Sequence, residues 1–282
     1  MILVTGASGQ LGRLVIASLL EKTEASNIIA AVRNPDSVKD LAEKGVQVRQ
    51  ADYSQPETLV KAFAGVEKLL LISSSEIGQR TPQHTNVINA AKETGVSLIA
   101  YTSILKADNT PLALADEHFE TEKLLEESGI PHVLLRNGWY SENYVMGLPM
   151  ALEHGAVLGC AADGKFSTAT RADYAEAAAV VLTSNNQAGK VYELAGDAAF
   201  TLTEYAAAIT EASGKTVVFQ NLPEAEFKKM LLGAGLPEGL ASLFANSEAG
   251  AAIGGLYSDN KSLSALIGRP TTPIMETIKA AL

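Results

Sequence analysis

The sequence predicts an α/β fold, a doubly wound parallel sheet with a smaller C-terminal α/β lobe, and three observations carry that expectation. Short apolar runs alternate with helical patterns through the first half: ILVTG, QLGRLVIASLLEK, NIIAAVRN, DSVKDLAEKG, VQVRQADY, PETLVKAFAG, VEKLLLISSS, PQHTNVINAAKETG, VSLIAYTS, LADEHFETEKLLEESG and HVLLRNGWY. Such alternation suits parallel strands joined by crossover helices. The runs LLLIS and LIAY are apolar on both faces, as a sheet covered by helices on each side requires. Gly45, Gly95 and Gly129 each stand between a helical pattern and a strand, where a left-handed helix cap suits glycine.

The first strand runs directly into Gly6-Ala7-Ser8-Gly9-Gln10-Leu11-Gly12, which opens the first helix. The spacing G-x-x-G-x-x-G is a variant of the dinucleotide fingerprint. Its glycines allow a tight turn and close backbone approach to a pyrophosphate, whose charge the N–H groups of the helix N-terminus stabilise. Strand, turn, helix and second strand in this order predict a Rossmann-type dinucleotide site. No Gly-Lys-Ser/Thr follows, which argues against a P-loop nucleotidase.

At the end of the second strand, a carboxylate favours NAD by accepting from ribose hydroxyls, whereas an arginine accommodates the 2′-phosphate of NADP. The chain reads AAVRNP there. Arg33 without an acidic neighbour at Val32 therefore predicts NADP(H). Asp52, with Tyr53, ends the third strand and suits either the adenine amino group or the cap of the next helix. Ser73, Ser74 and Ser75 end the fourth strand, where small hydroxyls can pack on ribose or nicotinamide or simply form a turn.

After about residue 144 the pattern loosens into shorter segments, among them the strand VYELAG, the helix TEYAAAITEASG and the strand TVVFQNL. This divides the chain into an NADP(H)-binding domain, residues 1–144, and a mainly smaller substrate-binding lobe, residues 145–282, with some segments returning to the sheet. The net charge of −10 over 282 residues disfavours nucleic acid or an anionic membrane as partner. No run approaches the roughly 18 apolar residues of a membrane span. MILVTGASGQLG reads as fold rather than secretory signal, and the one cysteine, Cys160, suits a reducing compartment, the cytoplasm. His84, His118, His132 and His154 are too widely spaced for a metal motif, so no metal is expected. The Gly/Ala-rich ASLFANSEAGAAIGGLY suits packing in the lobe, covering of a site, or contact with another subunit, which leaves a homo-oligomer open.

TGASGQLG, VRNP, ADY, LLLISSS, YTS, LLRNGWYSENY and ATRADYAEAAA together resemble the NmrA-like branch of the atypical short-chain dehydrogenases/reductases over nearly the whole chain. The likeness is closest to its quinone-reducing members and more distant to its dye-reducing ones. The resemblance implies an NADPH-dependent quinone reductase whose cofactor lies over Gly6, Ala7, Ser8, Gly9, Gln10, Leu11, Arg33 and the three serines. It also implies that the loop of Asn137, Gly138, Trp139, Tyr140, Ser141, Glu142 and Asn143 borders nicotinamide and substrate. Arg171 falls where such proteins start a helix facing the cofactor, although the alternative is that it only pairs with Asp173 or Glu176 on its own helix.

Short-chain dehydrogenases usually set a tyrosine and a lysine one helical turn apart, so that the lysine lowers the phenol's pKa. The corresponding helix here reads ADEHFETEKLL, without that dyad. His118 and Glu122, at i and i+4, are expected to form a surface pair on a charged helix rather than a proton donor. A quinone accepts hydride without a strong acid, so holding it against the nicotinamide suffices. Asn143 is the candidate to orient it, by donating to a quinone oxygen that gains charge, with Tyr140 and Trp139 as stacking partners. The other reading is a redox sensor that binds NADP(H) and alters a protein partner without turnover.

Overall fold

The computed structural model describes residues 1–282. In chain order its strands and α-helices are β1 (Ile2–Val4), α1 (Gln10–Leu20), β2 (Ile28–Val32), α2 (Lys39–Glu43), β3 (Gln47–Gln50), α3 (Pro56–Phe63), β4 (Lys68–Leu71), α4 (Arg80–Thr94), β5 (Leu98–Ile104), α5 (Ala115–Ser128) and β6 (His132–Asn137). There follow α6 (Glu142–Val145), α7 (Leu148–His154), β7 (Ala156–Gly159), α8 (Arg171–Thr183), β8 (Val191–Leu194), α9 (Leu202–Ser213), β9 (Val218–Asn221), α10 (Glu224–Gly233), α11 (Glu238–Ala252), α12 (Ser262–Ile267) and α13 (Ile274–Ala281). The chain divides into two compact units, Met1–Ile104 with Glu117–Asn137 and Arg171–Glu193, and Leu105–Asp116 with Gly138–Thr170 and Leu194–Leu282.

The first unit is built on a seven-stranded sheet of order β3-β2-β1-β4-β5-β6-β8, with β1 to β6 all parallel. Ile2 pairs with Ile28 on one side and Lys68 on the other, so the strand order reverses between β1 and β4. That reversal opens a crevice outside the carboxyl ends of the strands, where ligands bind in such sheets. One core takes Leu3, Ile29, Leu69, Ile99 and Tyr101 from alternate strand positions and packs them on Leu59, Phe63, Val87, Ala91 and Leu125 of α3, α4 and α5. α8 returns from later in the chain to lie along α1 and over β4 and β5. Its buried alanines, Ala175, Ala177, Ala178 and Ala179, permit that close approach. Gly45, Gly95 and Gly129 adopt φ of +87°, +73° and +72°, the left-handed caps expected from their positions.

In the second unit β7 and β9 form a parallel pair, Ala156 opposite Val218. α9 begins with a reciprocal capping box, in which Thr201 accepts from the Glu204 N–H and Glu204 from that of Thr201. Tyr144, Phe166, Phe200 and Tyr205 form an aromatic cluster with ring centroids 5.2 to 5.9 Å apart. The Cys160 N–H donates to Glu248 at 2.7 Å. Burial, reinforced by that carboxylate, pushes the Cys160 thiol up to about 12, so it is not an activated nucleophile. No helix is long and apolar enough to cross a membrane.

Candidate functional site

The site begins where β1 ends. The Thr5 N–H and hydroxyl both donate to the Leu70 carbonyl, tying β1 to β4 at the reversal of strand order. Gly6 then turns the chain at φ +57°, and the Gly9 N–H closes the turn on the Gly6 carbonyl at 2.9 Å. A Cβ on Gly12 would lie 2.4 Å from the Gly6 oxygen and 2.8 Å from the Ala7 Cα, so only glycine lets α1 start against this turn. Ala7 is buried and its N–H donates to the Ala31 carbonyl of β2. α1 carries no side-chain cap and no acidic residue in its first turn. Its positive end is thereby left for an anion.

Above this turn lies a cavity of about 510 Å³, a size that suits a small-molecule site. Gly6, Ser8, Gly9, Gln10, Leu11, Arg33, Ser73, Ser74, Ser75 and Arg171 line it, residues from the ends of β1, β2 and β4 and from the first position of α8. Asp52 and Tyr53 also line it. Asp52 accepts the Ser54 N–H at 2.9 Å and closes the turn there, while Gln55 holds the cap position just before Pro56 of α3, so Asp52 is not that helix's cap. The Tyr53 hydroxyl donates to the Ile72 carbonyl at 2.7 Å and fixes one wall. Glu76 and Gln83 line it as well, and neither was marked by the sequence.

The serine loop is held from behind by groups that sequence reasoning also missed. The Ser74 N–H donates to His84 Nε2 at 3.0 Å, and Arg80 Nε donates to the Ser74 carbonyl at 2.8 Å. Because a backbone N–H can only donate, the His84 proton sits on Nδ1 and goes to Thr121 Oγ1 at 2.9 Å. Thr121 in turn donates to the Glu117 carbonyl. His84 is fully buried, and burial together with the Arg80 charge pushes it down to about 3, so it stays a neutral acceptor. His84→Phe fills the space without an acceptor and is expected to weaken ligand binding in the cavity about tenfold, since a stranded buried N–H costs about 1–3 kcal/mol. His84→Gln, which keeps an acceptor, should restore most of it; dissociation constants of the two variants check this.

α5 corrects a sequence expectation. His118 and Glu122 are not a surface pair: they are 5% and 6% exposed. The Tyr101 hydroxyl meets His118 Nδ1 at 2.7 Å, and burial holds His118 well below its ordinary pKa. Glu122 accepts from Ser103 and takes both Arg136 Nε at 2.9 Å and a terminal Arg136 nitrogen at 2.7 Å. Arg136 also reaches Glu193 at 2.8 Å. The polar stripe of α5 is thus an interior network that ties the helix to β5, β6 and β8.

The predicted loop after β6 divides between the units. Asn137 ends β6 in the first unit, buried, with no hydrogen-bond partner for its Oδ1. In the second unit Trp139, Tyr140 and Asn143 are half-buried. Tyr140 bridges Ala169 in parallel, with the Ala169 N–H on the Trp139 carbonyl and the Ser141 N–H on the Ala169 carbonyl. The Ser141 and Thr168 hydroxyls lie 2.8 Å apart. Gly138 donates to the Leu194 carbonyl, and Glu142 and Asn143 begin the four-residue α6, so a backbone bonded on both sides fixes where these side chains start.

A model of the NmrA-like family matches residues 1–264. The chain belongs to the NmrA-like family. Among its relatives in the family, quinone oxidoreductase 2 of Escherichia coli strain K12 is 60% identical over 278 residues, 99% of this chain and 97% of that one. The crystal structure of the NADPH-dependent quinone oxidoreductase 2 from Escherichia coli in complex with NADPH superposes with a TM-score of 0.98, at 59% identity and 99% coverage of each chain. The triphenylmethane reductase of Citrobacter sp., complexed with NADP(H), superposes with a TM-score of 0.97 at 42% identity over the full length of both chains. The Rossmann-like architecture expected from the sequence is therefore shown both by the sheet order and by these likenesses.

Proposed function

We propose that this NmrA-like protein binds NADPH in the cavity at the strand ends and reduces quinones with it. The observation that carries the reading is the lining of that cavity. A glycine turn, an uncapped helix N-terminus, Arg33 and three serines surround the reversal of strand order, in a chain 60% identical to a quinone oxidoreductase. The residues present fit the cofactor: the turn admits close backbone approach, α1 offers N–H groups to a pyrophosphate, and Arg33 offers charge to a 2′-phosphate.

When bound, NADPH supplies a hydride, and quinone plus that hydride and one solvent proton gives hydroquinone. The protein's part is to bind and orient. Gly6, Ser8, Gly9, Gln10 and Leu11 form the floor for the phosphates, over the buried Ala7; Arg33 and Arg171 bring positive charge; Ser73, Ser74 and Ser75 form the wall clamped by His84 and Arg80. The segment from Asn137 through Gly138, Trp139, Tyr140, Ser141 and Glu142 borders the nicotinamide in this reading. Asn143 orients the quinone oxygen through its amide, and Tyr140 packs on the ring. The helix that carries a Tyr/Lys dyad in other short-chain dehydrogenases holds His118 and Glu122 in structural bonds, which agrees with catalysis by positioning.

Steady-state loss of NADPH absorbance with a benzoquinone or naphthoquinone, corrected for the uncatalysed reaction, tests the proposal. Saturable turnover supports it. Tight NADPH binding without turnover across several acceptors contradicts it and favours a sensor. Asn143→Ala is expected to lower kcat/KM for the quinone by about ten- to a hundredfold while NADPH affinity holds, the loss of one donor to developing charge; unchanged kcat/KM would remove Asn143 from this role.

A further inference from the structure

The sequence places no carboxylate beside Arg33 on its own strand, but the fold supplies one from the next loop. Glu76 directly follows the serine triplet, and its Oε1 lies 3.3 Å from a terminal Arg33 nitrogen. Its other oxygen accepts from Gln83 Nε2 at 2.8 Å. Gln83 is 6% exposed and also donates to the Ser54 hydroxyl at 3.2 Å. Since a carboxylate can only accept, the amide nitrogen must face Glu76, which leaves the Gln83 carbonyl oxygen buried and without a partner. Glu76 is therefore held in place on one side, while its contact with Arg33 is open to water: the two side chains are 49% and 75% exposed. Arg33, Glu76 and Gln83 all line the cavity.

An arginine at this point of a Rossmann sheet accommodates a 2′-phosphate, and a carboxylate accepts from the free ribose hydroxyls of NAD. Here both stand together, from different strand ends. We propose that Glu76 is a specificity-determining residue: it competes with the 2′-phosphate for Arg33 and offers an acceptor to ribose hydroxyls, so that NADH is a usable second dinucleotide. This rests on the reading of the cavity as the dinucleotide site. The phosphate has to displace the carboxylate from Arg33 or sit beside it, and like charges at close range oppose binding. The hydroxyls of NADH carry no charge and meet no such opposition. Because the pair is exposed, water and salt weaken the effect to the scale of a surface ion pair.

The test is calorimetric titration of the protein with NADPH and with NADH, for the wild type, Glu76→Gln and Arg33→Ala. Glu76→Gln keeps the shape and an acceptor for Gln83 but removes the charge. It is expected to tighten NADPH by about three- to fivefold, the range of an exposed ion pair, and more at low salt than at high. NADH should bind no tighter than to the wild type. An NADPH dissociation constant that is unchanged or weaker in Glu76→Gln, or an equal gain for both dinucleotides, overturns the role of Glu76. Arg33→Ala losing NADPH affinity far more than NADH affinity confirms that the 2′-phosphate lies at Arg33. A wild type that binds neither dinucleotide overturns the cofactor reading beneath the proposal.

Discussion

Gly12→Ala is expected to weaken NADPH binding by about two orders of magnitude or more. The new Cβ would lie 2.4 Å from the Gly6 carbonyl oxygen and 2.8 Å from the Ala7 Cα, and both neighbours are backbone rather than yielding side-chain ends. Relief requires α1 to move away from the turn. The turn cannot follow, because Gly6 is tied to Gly9 and Ala7 to Ala31 of the sheet. Moving α1 displaces the N–H groups that the proposed cofactor site offers to the pyrophosphate, and small misplacements of such donors are costly. Overpacking of this kind also costs about 1–3 kcal/mol of stability. Calorimetric titration with NADPH, run beside a thermal melt, separates the two effects. A variant that binds NADPH within a fewfold of wild type would mean that the phosphates do not rest on this turn.

Arg136→Leu is expected to cost about 3–5 kcal/mol of stability, the scale of breaking a buried ion pair from one side. The guanidinium lies between Glu122, with a side chain 5% exposed, and Glu193, at 2.7 and 2.8 Å. Its removal strands a carboxylate in the interior with only Ser103 as donor. Replacing Glu122 by leucine as well should recover part of the loss, since two apolar side chains then fill the space without an unpaired charge. Urea unfolding of the single and double variants measures both. A loss below about 1 kcal/mol for Arg136→Leu, the value of an exposed pair, would place the network at the surface instead.

The difference between these two sites shows what the sequence made legible. The glycine turn reads directly because every part of it is local: the strand ends at Val4, the turn follows at once, and α1 opens with no cap of its own. Arg33 reads by its place at the end of β2, a position defined by the strand pattern alone. α5 misleads because its inward face is polar. A helix rich in charge reads as solvated unless its partners are known, and these come from elsewhere: Tyr101 and Ser103 lie 17 and 19 positions earlier, and Arg136 lies 14 positions later. Glu76 stands next to residues that were marked, yet its pairing with Arg33, 43 positions away, exists only because β2 and β4 both flank β1. His84 reads as an isolated histidine on a polar helix, and only the Ser74 N–H reveals its use. The loop from Asn137 to Asn143 carries its functional reading through family resemblance, because no local spacing distinguishes it from ordinary packing after a core strand.

A single turnover shows most directly whether NADPH bound to this protein reduces a quinone. The protein is loaded with NADPH, excess oxidised and reduced cofactor is removed, and the complex is mixed rapidly with a naphthoquinone while nicotinamide absorbance is followed. Loss of one bound NADPH per site is expected, at a rate that saturates with quinone and far exceeds that of free NADPH, with matching formation of hydroquinone. Bound NADPH that is oxidised no faster than NADPH in buffer would contradict it.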